Sequence, residues 1–311
     1  MTTLLLTHPA ALAHHTPTGH PEQVARMTAI LDALSGPDFA ALTRADAPLA
    51  DDALVRLCHP QTYIDRIRAA IPVGGTYQLD ADTHVSPGSL EAALRAVGGA
   101  CDAVDQVMAG QVQNAFVAMR PPGHHAETET PMGFCLFGTV AIAARHAMEA
   151  HGLSRVAVVD FDVHHGNGTQ DLLWSEKRAL FISSHQMPLW PGTGAPDERG
   201  AHSNVINVPL PPATNGTAFR RIYEDAVLPQ LDRFAPELVI ISAGFDAHRD
   251  DPLAQLALVE ADFAWVTGAL CDIAARHCAG RVVSVLEGGY DLRALGASVA
   301  AHIRVLMEQS Q

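Results

Sequence analysis

Five apolar runs along the chain stop abruptly on polar residues able to bind a metal. They are Ala115-Phe-Val-Ala-Met-Arg120-Pro-Pro-Gly-His124-His125, Val156-Ala-Val-Val-Asp160-Phe-Asp162-Val-His164-His165, Ala179-Leu-Phe-Ile-Ser183-Ser184-His185, Leu238-Val-Ile-Ile-Ser-Ala-Gly244-Phe-Asp246 and Val282-Val-Ser-Val-Leu-Glu287-Gly-Gly-Tyr290. Short apolar runs bounded by turn residues predict buried strands. Apolar spacing of i, i+3, i+4 predicts helices over Pro21 to Leu34, Pro60 to Ala70, Ser89 to Met108, Phe137 to Ala150, Thr217 to Phe234 and Glu260 to His277, after a short first strand over Thr3 to Thr7. Such alternation predicts an α/β fold, with a mostly parallel central sheet and helices on both faces. In an open parallel sheet all carboxyl ends of strands share one edge, so the five polar tips would form one basin.

The Gly- and Pro-rich stretch from Met187 to Pro212 reads as a long irregular loop, and no linker or repeat divides residues 1–311, so a single domain is expected. At 48% hydrophobic residues the chain can bury a sizeable core. Acidic residues outnumber basic ones by 34 to 20, and the formal charge of −14 disfavours nucleic-acid partners. The five cysteines form no Cys-x-x-Cys pair, which fits a reducing cytoplasm rather than a disulfide framework or thiolate zinc site. Leu4-Leu5-Leu6 is too short for a signal peptide, and no run reaches the roughly 18 residues of a membrane span, so a cytoplasmic protein is expected.

Side chains alternate faces in an extended chain, so Asp160, Asp162 and His164 would share one side as their strand runs out. Asp162 and His164, with Asp246 as the remote third donor, make a plausible catalytic zinc site, because three protein ligands leave a position for water or substrate. The same oxygen and nitrogen donors are open to iron or cobalt. His124 and His125 follow a proline turn; one as general base and one as electrostatic partner would suit hydrolysis, while the alternative is an exposed polar turn. Adjacent side chains diverge, so both are not expected in the core. Tyr290, after Gly288-Gly289, could donate to an oxyanion or simply be a packed tyrosine. The Gly-x-Ser-x-Gly elbow, Walker loop, Gly-x-Gly-x-x-Gly and His-Glu-x-x-His motifs are all missing, and Cys135 reads as a buried thiol.

Arg120-Pro-Pro-Gly-His124-His125-Ala, Asp160-Phe-Asp-Val-His-His-Gly-Asn-Gly-Thr169, Pro191-Gly-Thr-Gly194, Gly244-Phe-Asp246 and Leu286-Glu-Gly-Gly-Tyr290 together resemble the zinc-dependent histone deacetylase family, its class II branch and the bacterial histone deacetylase-like amidohydrolases. The likeness runs in order from Gly19-His-Pro-Glu22 to Tyr290. It implies the three-layer arginase-deacetylase fold and one catalytic zinc held by Asp162, His164 and Asp246. It also makes His125 the general base and acid, Tyr290 the oxyanion donor and Asp160 the partner of His124. Asp160 and Ser183 would belong to a structural potassium site. Asn167 stands where one branch carries aspartate, and a neutral partner would leave its histidine's pKa lower. Phe134, beside Gly133, and Trp190 would wall a narrow channel for the stem of acetyl-lysine, unless they are core aromatics, with Asp82 at its rim. The substrate implied is an acyl-lysine peptide or protein, or another acylated amine.

Three other readings compete with this one. A polyamine-selective branch carries a glutamate after Asp-Pro, whereas Asp251-Pro252 is followed here by Leu253, which favours acyl-lysine over acetylpolyamine. Arginase-like binuclear manganese enzymes resemble Asp-x-His-x-Asp, but Gly166 takes the last position, so one metal is expected. A deacetylase-shaped binding module without activity could lose a ligand or Tyr290 and still fold, yet this chain retains them all.

Overall fold

A computed structural model describes residues 2–310 of the protein. Its strands are β1 (Thr3–Thr7), β2 (Thr43–Asp46), β3 (Tyr77–Gln78), β4 (His84–Val85), β5 (Asn114–Val117), β6 (Val156–Asp160), β7 (Ala179–Gln186), β8 (Val205–Leu210), β9 (Leu238–Ala243) and β10 (Val282–Leu286). Eight of them form one sheet in the order β2-β1-β5-β10-β9-β6-β7-β8. Every pairing in it is parallel; among the described residues antiparallel pairing occurs in the separate ribbon β3-β4 and in an isolated bridge between Met132 and Cys135. The sheet is thus wholly rather than mostly parallel. The interior strands β5, β6, β9 and β10 are buried at every position, as continuous apolar runs require when both faces are covered.

The helices are α1 (Ala10–Ala13), α2 (Ala25–Ala33), α3 (Asp52–Val55), α4 (Gln61–Ala70), α5 (Ser89–Met108), α6 (Thr139–Ala150), α7 (Asn167–Leu173), α8 (Gly216–Ile222), α9 (Leu228–Phe234), α10 (Glu260–Cys278) and α11 (Leu292–Glu308). Neighbouring residues of β5 show that they cover both faces. The Phe116 ring lies 5.5 Å from that of His302 on α11, whereas Val117 abuts Gly99 of α5. Side chains that alternate along a strand therefore meet different helix layers. A second, smaller core around Tyr63, Ile64, Ile67, Val97 and Phe137 joins α4 to α5 and to the loop before α6.

Four expectations change. The stretch from Met187 to Pro212 is not wholly irregular: it contains β8, which pairs with β7 at the sheet edge, where Pro209 is tolerated. The helix expected over Thr217 to Phe234 opens into a wider π turn at Tyr223–Val227, next to Pro229, which has no N–H to continue the regular ladder. The helix expected from Pro21 starts only at Ala25, because Glu22 is drawn into a buried ion-pair network. Finally, β6 ends at Asp160, so Asp162 and His164 lie in the turn beyond it rather than on a continuing strand.

Candidate metal centre and active site

The turn after β6 is built by its own carboxylates. Asp160 Oδ1 accepts the Asp162 N–H at 3.0 Å, and Asp162 Oδ1 accepts the His164 N–H at 2.9 Å. These local bonds pull the chain out of extension and swing Asp162 and His164 toward the neighbouring strand end. Asp246, just past β9, answers from the other side, its Oδ1 accepting the Val163 N–H at 2.9 Å. His164 Nδ1 then lies 3.2 Å from Asp162 Oδ1 and 3.1 Å from Asp246 Oδ2, and one donor atom from each residue lies within 4.8 Å of the others. Both carboxyl groups are fully buried.

Two glycines make room for this cluster. A Cβ on Gly244 would stand 2.0 Å from Asp162 Oδ2, and one on Gly288 would stand 2.2 Å from Asp246 Oδ2. The Gly288 N–H also donates to Asp162 Oδ2 at 2.8 Å. Burial opposes charge on the His164 ring, but hydrogen bonds to Asp162 and Asp246 carry its pKa up to about 10. Burial and the Asp162 charge push Asp246 up to about 7, whereas Asp162, despite its own burial, is held low by the positive charge on His124 and His164. The imidazole thus lies between two carboxylates, a donor set that a divalent cation can bridge. Two carboxylates and one imidazole, with backbone N–H groups donating to both Asp162 oxygens and to Asp246 Oδ1, fit a three-ligand zinc site.

His124 and His125 are not an exposed turn. Both are buried, and their ring centroids lie 3.8 Å apart. Neighbouring side chains share this space because Glu287 holds the backbone, its Oε2 accepting the N–H groups of Gly123 at 2.7 Å and His124 at 3.1 Å. The two imidazoles face different partners. His124 Nδ1 meets Asp160 Oδ2 at 2.9 Å, and its Nε2 lies 3.8 Å from Asp162. Burial disfavours charge there, yet Asp162 and Asp160 outweigh it and raise the pKa well above the histidine range. His125 Nδ1 instead meets Asn167 Oδ1 at 2.7 Å. Burial first, then the positive charge on His124 and His164, holds His125 well below that range. The Asn167 amide is oriented by its Nδ2, which donates to Glu127 at 2.8 Å. His125 thus carries its proton on Nδ1 and leaves Nε2 bare.

A narrow cavity of about 180 Å³ descends to His125 and His164 between Phe134, Trp190, Leu253 and Tyr290, with Asp82, Gly133 and Leu189 completing its lining. Trp190 is 42% exposed, so it is no core aromatic; its ring stands edge-on to that of His125 at 4.7 Å. Phe134 stands edge-on to Tyr290 at 5.8 Å. Phe134 and Gly133 both take left-handed backbone angles, φ 70° and 55°. A Cβ at Gly133 would meet His125 Cδ2 at 2.4 Å. Asp82 is half-buried, and its Oδ1 accepts the Gly133 N–H at 3.1 Å, bracing the wall. Burial keeps the Tyr290 phenol well above its ordinary pKa, hence protonated and able to donate. Ser183 sits opposite Asp160 in the β6-β7 register, its Oγ 3.0 Å from His185 Nδ1. A wider, open groove of about 870 Å³ along Arg220 and Asp262 contains none of the expected site residues.

Several contributors lie outside the expected set. Glu287, pushed up to about 7 by burial, anchors the histidine pair, and its place directly after an apolar run is a readable signal. Asp251 accepts the Tyr290 N–H at 2.7 Å and the Leu253 N–H at 3.0 Å, tying donor and wall together. Glu22 binds Arg26 and Arg120 in full burial, and Arg26 lies 4.9 Å from the centre of the Tyr290 ring. Glu22 and Arg26 are an i,i+4 pair, whereas the Glu22-Arg120 and Arg26-Tyr290 contacts join distant segments and leave no local pattern.

Comparison with known proteins extends what this geometry indicates. Residues 20–306 match the histone deacetylase domain. A histone deacetylase-like amidohydrolase of Pseudomonas aeruginosa is 41% identical over 287 residues, covering 91% of this chain and 74% of its own. A probable deacetylase of Archaeoglobus fulgidus is 36% identical over 301 residues, covering 94% and 82%. The crystal structure of the HDA15 HD domain superposes with a TM-score of 0.94 at 34% identity, covering 99% of this chain and 89% of that one. With sequence and backbone both matched along nearly its whole length, the chain belongs to the histone deacetylase domain family.

Proposed function

We propose that the protein is a zinc-dependent deacylase that removes acetyl or related acyl groups from the side-chain amine of lysine, or from a similar amine, by adding water across the amide. The observation that carries this reading is the narrow aromatic cavity ending on a bare imidazole nitrogen beside a buried Asp-His-Asp triad. Zinc at Asp162, His164 and Asp246 would supply Lewis acidity for the acyl carbonyl and for a water molecule. Phe134 and Trp190 would grip the aliphatic stem and exclude bulk water. His125 Nε2 would take the proton of the attacking water and return it to the departing amine, while Asn167 fixes the tautomer. His124, kept cationic by Asp160 and Asp162, would steady the negative charge that develops nearby. Tyr290 would donate its hydroxyl to the same acyl oxygen.

The family relationship supports a deacetylase or amidohydrolase activity, and the narrow cavity between Phe134 and Trp190 favours an acyl-lysine stem. Leu253 lines the cavity as an apolar residue, which disfavours a second cation along the substrate and hence a polyamine. Asp160 and Ser183, oxygen donors on adjacent strands, would hold a structural potassium ion. The five unpaired cysteines suit a reducing cytoplasm, and no helix among the described residues is long and apolar enough to cross a membrane. Parallel rates on an acetyl-lysine peptide and on acetylputrescine test the reading. Faster turnover of the peptide supports it; the reverse order assigns a polyamine substrate, and an inert zinc-loaded protein assigns a binding module.

A further inference from the structure

A second histidine-carboxylate cluster lies outside the active site, in the seam between α5 and α6. Asp105 projects from α5, and His146 from α6. His151 is the residue that caps α6. Both imidazole Nε2 atoms approach the same oxygen, Asp105 Oδ1, at 2.7 Å each. Their donor atoms all lie within 4.8 Å of one another, and the rings stand nearly perpendicular, 85° apart.

That convergence is a product of how the helix ends. In a continuing helix, residues five apart would point about 140° away from each other. At His151 the backbone leaves the helical region, with φ −109° and ψ 1°, and Gly152 follows at φ 66°. The last turn therefore curls the His151 ring back to the side that His146 occupies, facing α5. The side chains of His146 and His151 are only 14% and 25% exposed, against 49% for Asp105, so the rings are held in place while solvent still reaches the carboxylate.

We propose that Asp105, His146 and His151 form a surface site for a divalent transition metal, zinc being the reference ion, that clamps α5 to α6. The donor chemistry selects the class: two imidazoles and one carboxylate suit zinc, nickel, cobalt or copper, and do not suit calcium or magnesium, which take all-oxygen sets. The geometry needs little adjustment. Donors bound to a tetrahedral zinc at about 2.0–2.2 Å sit about 3.3 Å apart, so modest ring rotations convert the two hydrogen bonds into three metal bonds. Each ring proton moves from Nε2 to Nδ1, so neutral imidazoles bind, no oxidant or leaving group is involved, and the fourth position stays with water. Bound metal would fix the segment from α6 to β6, the strand that leads into the active-site turn.

This inference does not rest on the proposed activity, because it is read as a difference between proteins that share the same buried triad. Wild type, His146→Ala/His151→Ala and the near-isosteric Asp105→Asn are equilibrated with micromolar free zinc, and bound zinc is counted by elemental analysis. Wild type is expected to hold one equivalent more than the double variant, with an intermediate or equal loss in Asp105→Asn. Zinc should also raise the melting temperature of wild type further than that of either variant, with acyl-lysine turnover within twofold in all three. Equal zinc content in wild type and both variants would overturn the assignment, as would an additional equivalent that all three retain.

Discussion

Two clusters of histidine and carboxylate in one chain differ in what surrounds them. In the buried triad, the two carboxylates are tied to the backbone, Asp162 accepting from His164 and Gly288 and Asp246 from Val163, and the imidazole is held between them. In the seam cluster, two imidazoles share one carboxylate that is 49% exposed, and no backbone N–H among the described residues donates to that carboxylate. Buried charge is costly and survives only where every lone pair has a partner, so the interior triad spends its backbone hydrogen bonds on holding ligands in place. The gain is electrostatic: at low dielectric the same ion polarises a substrate far more strongly than it would at the surface. A surface site can hold metal, but water screens its field, so it serves as a clamp rather than a catalyst. Position in the fold follows this division, one cluster at the carboxyl ends of parallel strands and the other between helices.

The sharpest way to break the comparison is to remove one buried ligand. Asp246→Ala is expected to lose the catalytic metal and to lower deacylation by about 10³-fold or more, roughly 4 kcal/mol, while the seam cluster keeps its uptake. Residual activity within tenfold of wild type would mean that the triad is not the catalytic centre. Next in size, Tyr290→Phe should cost about 10²–10³ in kcat with unchanged zinc content, the loss of one preorganised donor. An unaltered kcat would reduce Tyr290 to a wall residue. Gly133→Ala places a methyl 2.4 Å from His125 Cδ2. A shift of the ring by about 1 Å should lower kcat/KM by about 10², and an unchanged rate would show that the wall yields instead.

A smaller effect probes the two histidines against each other. In Asn167→Asp a carboxylate would face His125 Nδ1, favour the imidazolium and raise the pKa of the base. The base is then protonated at higher pH, so the acid limb of the kcat/KM profile should move upward by about one unit; a downward or absent shift would remove His125 from that role. The smallest effect belongs to the seam: His146→Ala should leave turnover within twofold and abolish only the additional zinc-dependent gain in melting temperature.

Legibility followed locality. The polar-tipped strands, the helices α4 and α5 and the triad residues were readable because each lies in a short stretch whose hydrophobic period and end residues speak for themselves. The structure brings Asp162, His164 and Asp246 together, and places Phe134, Trp190, Leu253 and Tyr290 around one cavity. The strand β8 was hidden because an edge strand tolerates the proline, here Pro209, that normally marks a loop. Glu287 was visible at the end of an apolar run, but its partners were not, and the bracing by Asp251 and the Glu22-Arg120 pair was hidden because those bonds join segments with no common period. The burial of His124 and His125 side by side ran against the simple rule that neighbours diverge; a carboxylate from β10's end reverses it by seizing two consecutive N–H groups.

Diffraction at the zinc edge, from crystals grown with a single equivalent of zinc, tests the central claim most directly. The account predicts the strongest anomalous peak among Asp162, His164 and Asp246, with the seam cluster filling only as more metal is added. A buried triad left empty while zinc collects at Asp105, His146 and His151, or elsewhere, would contradict it.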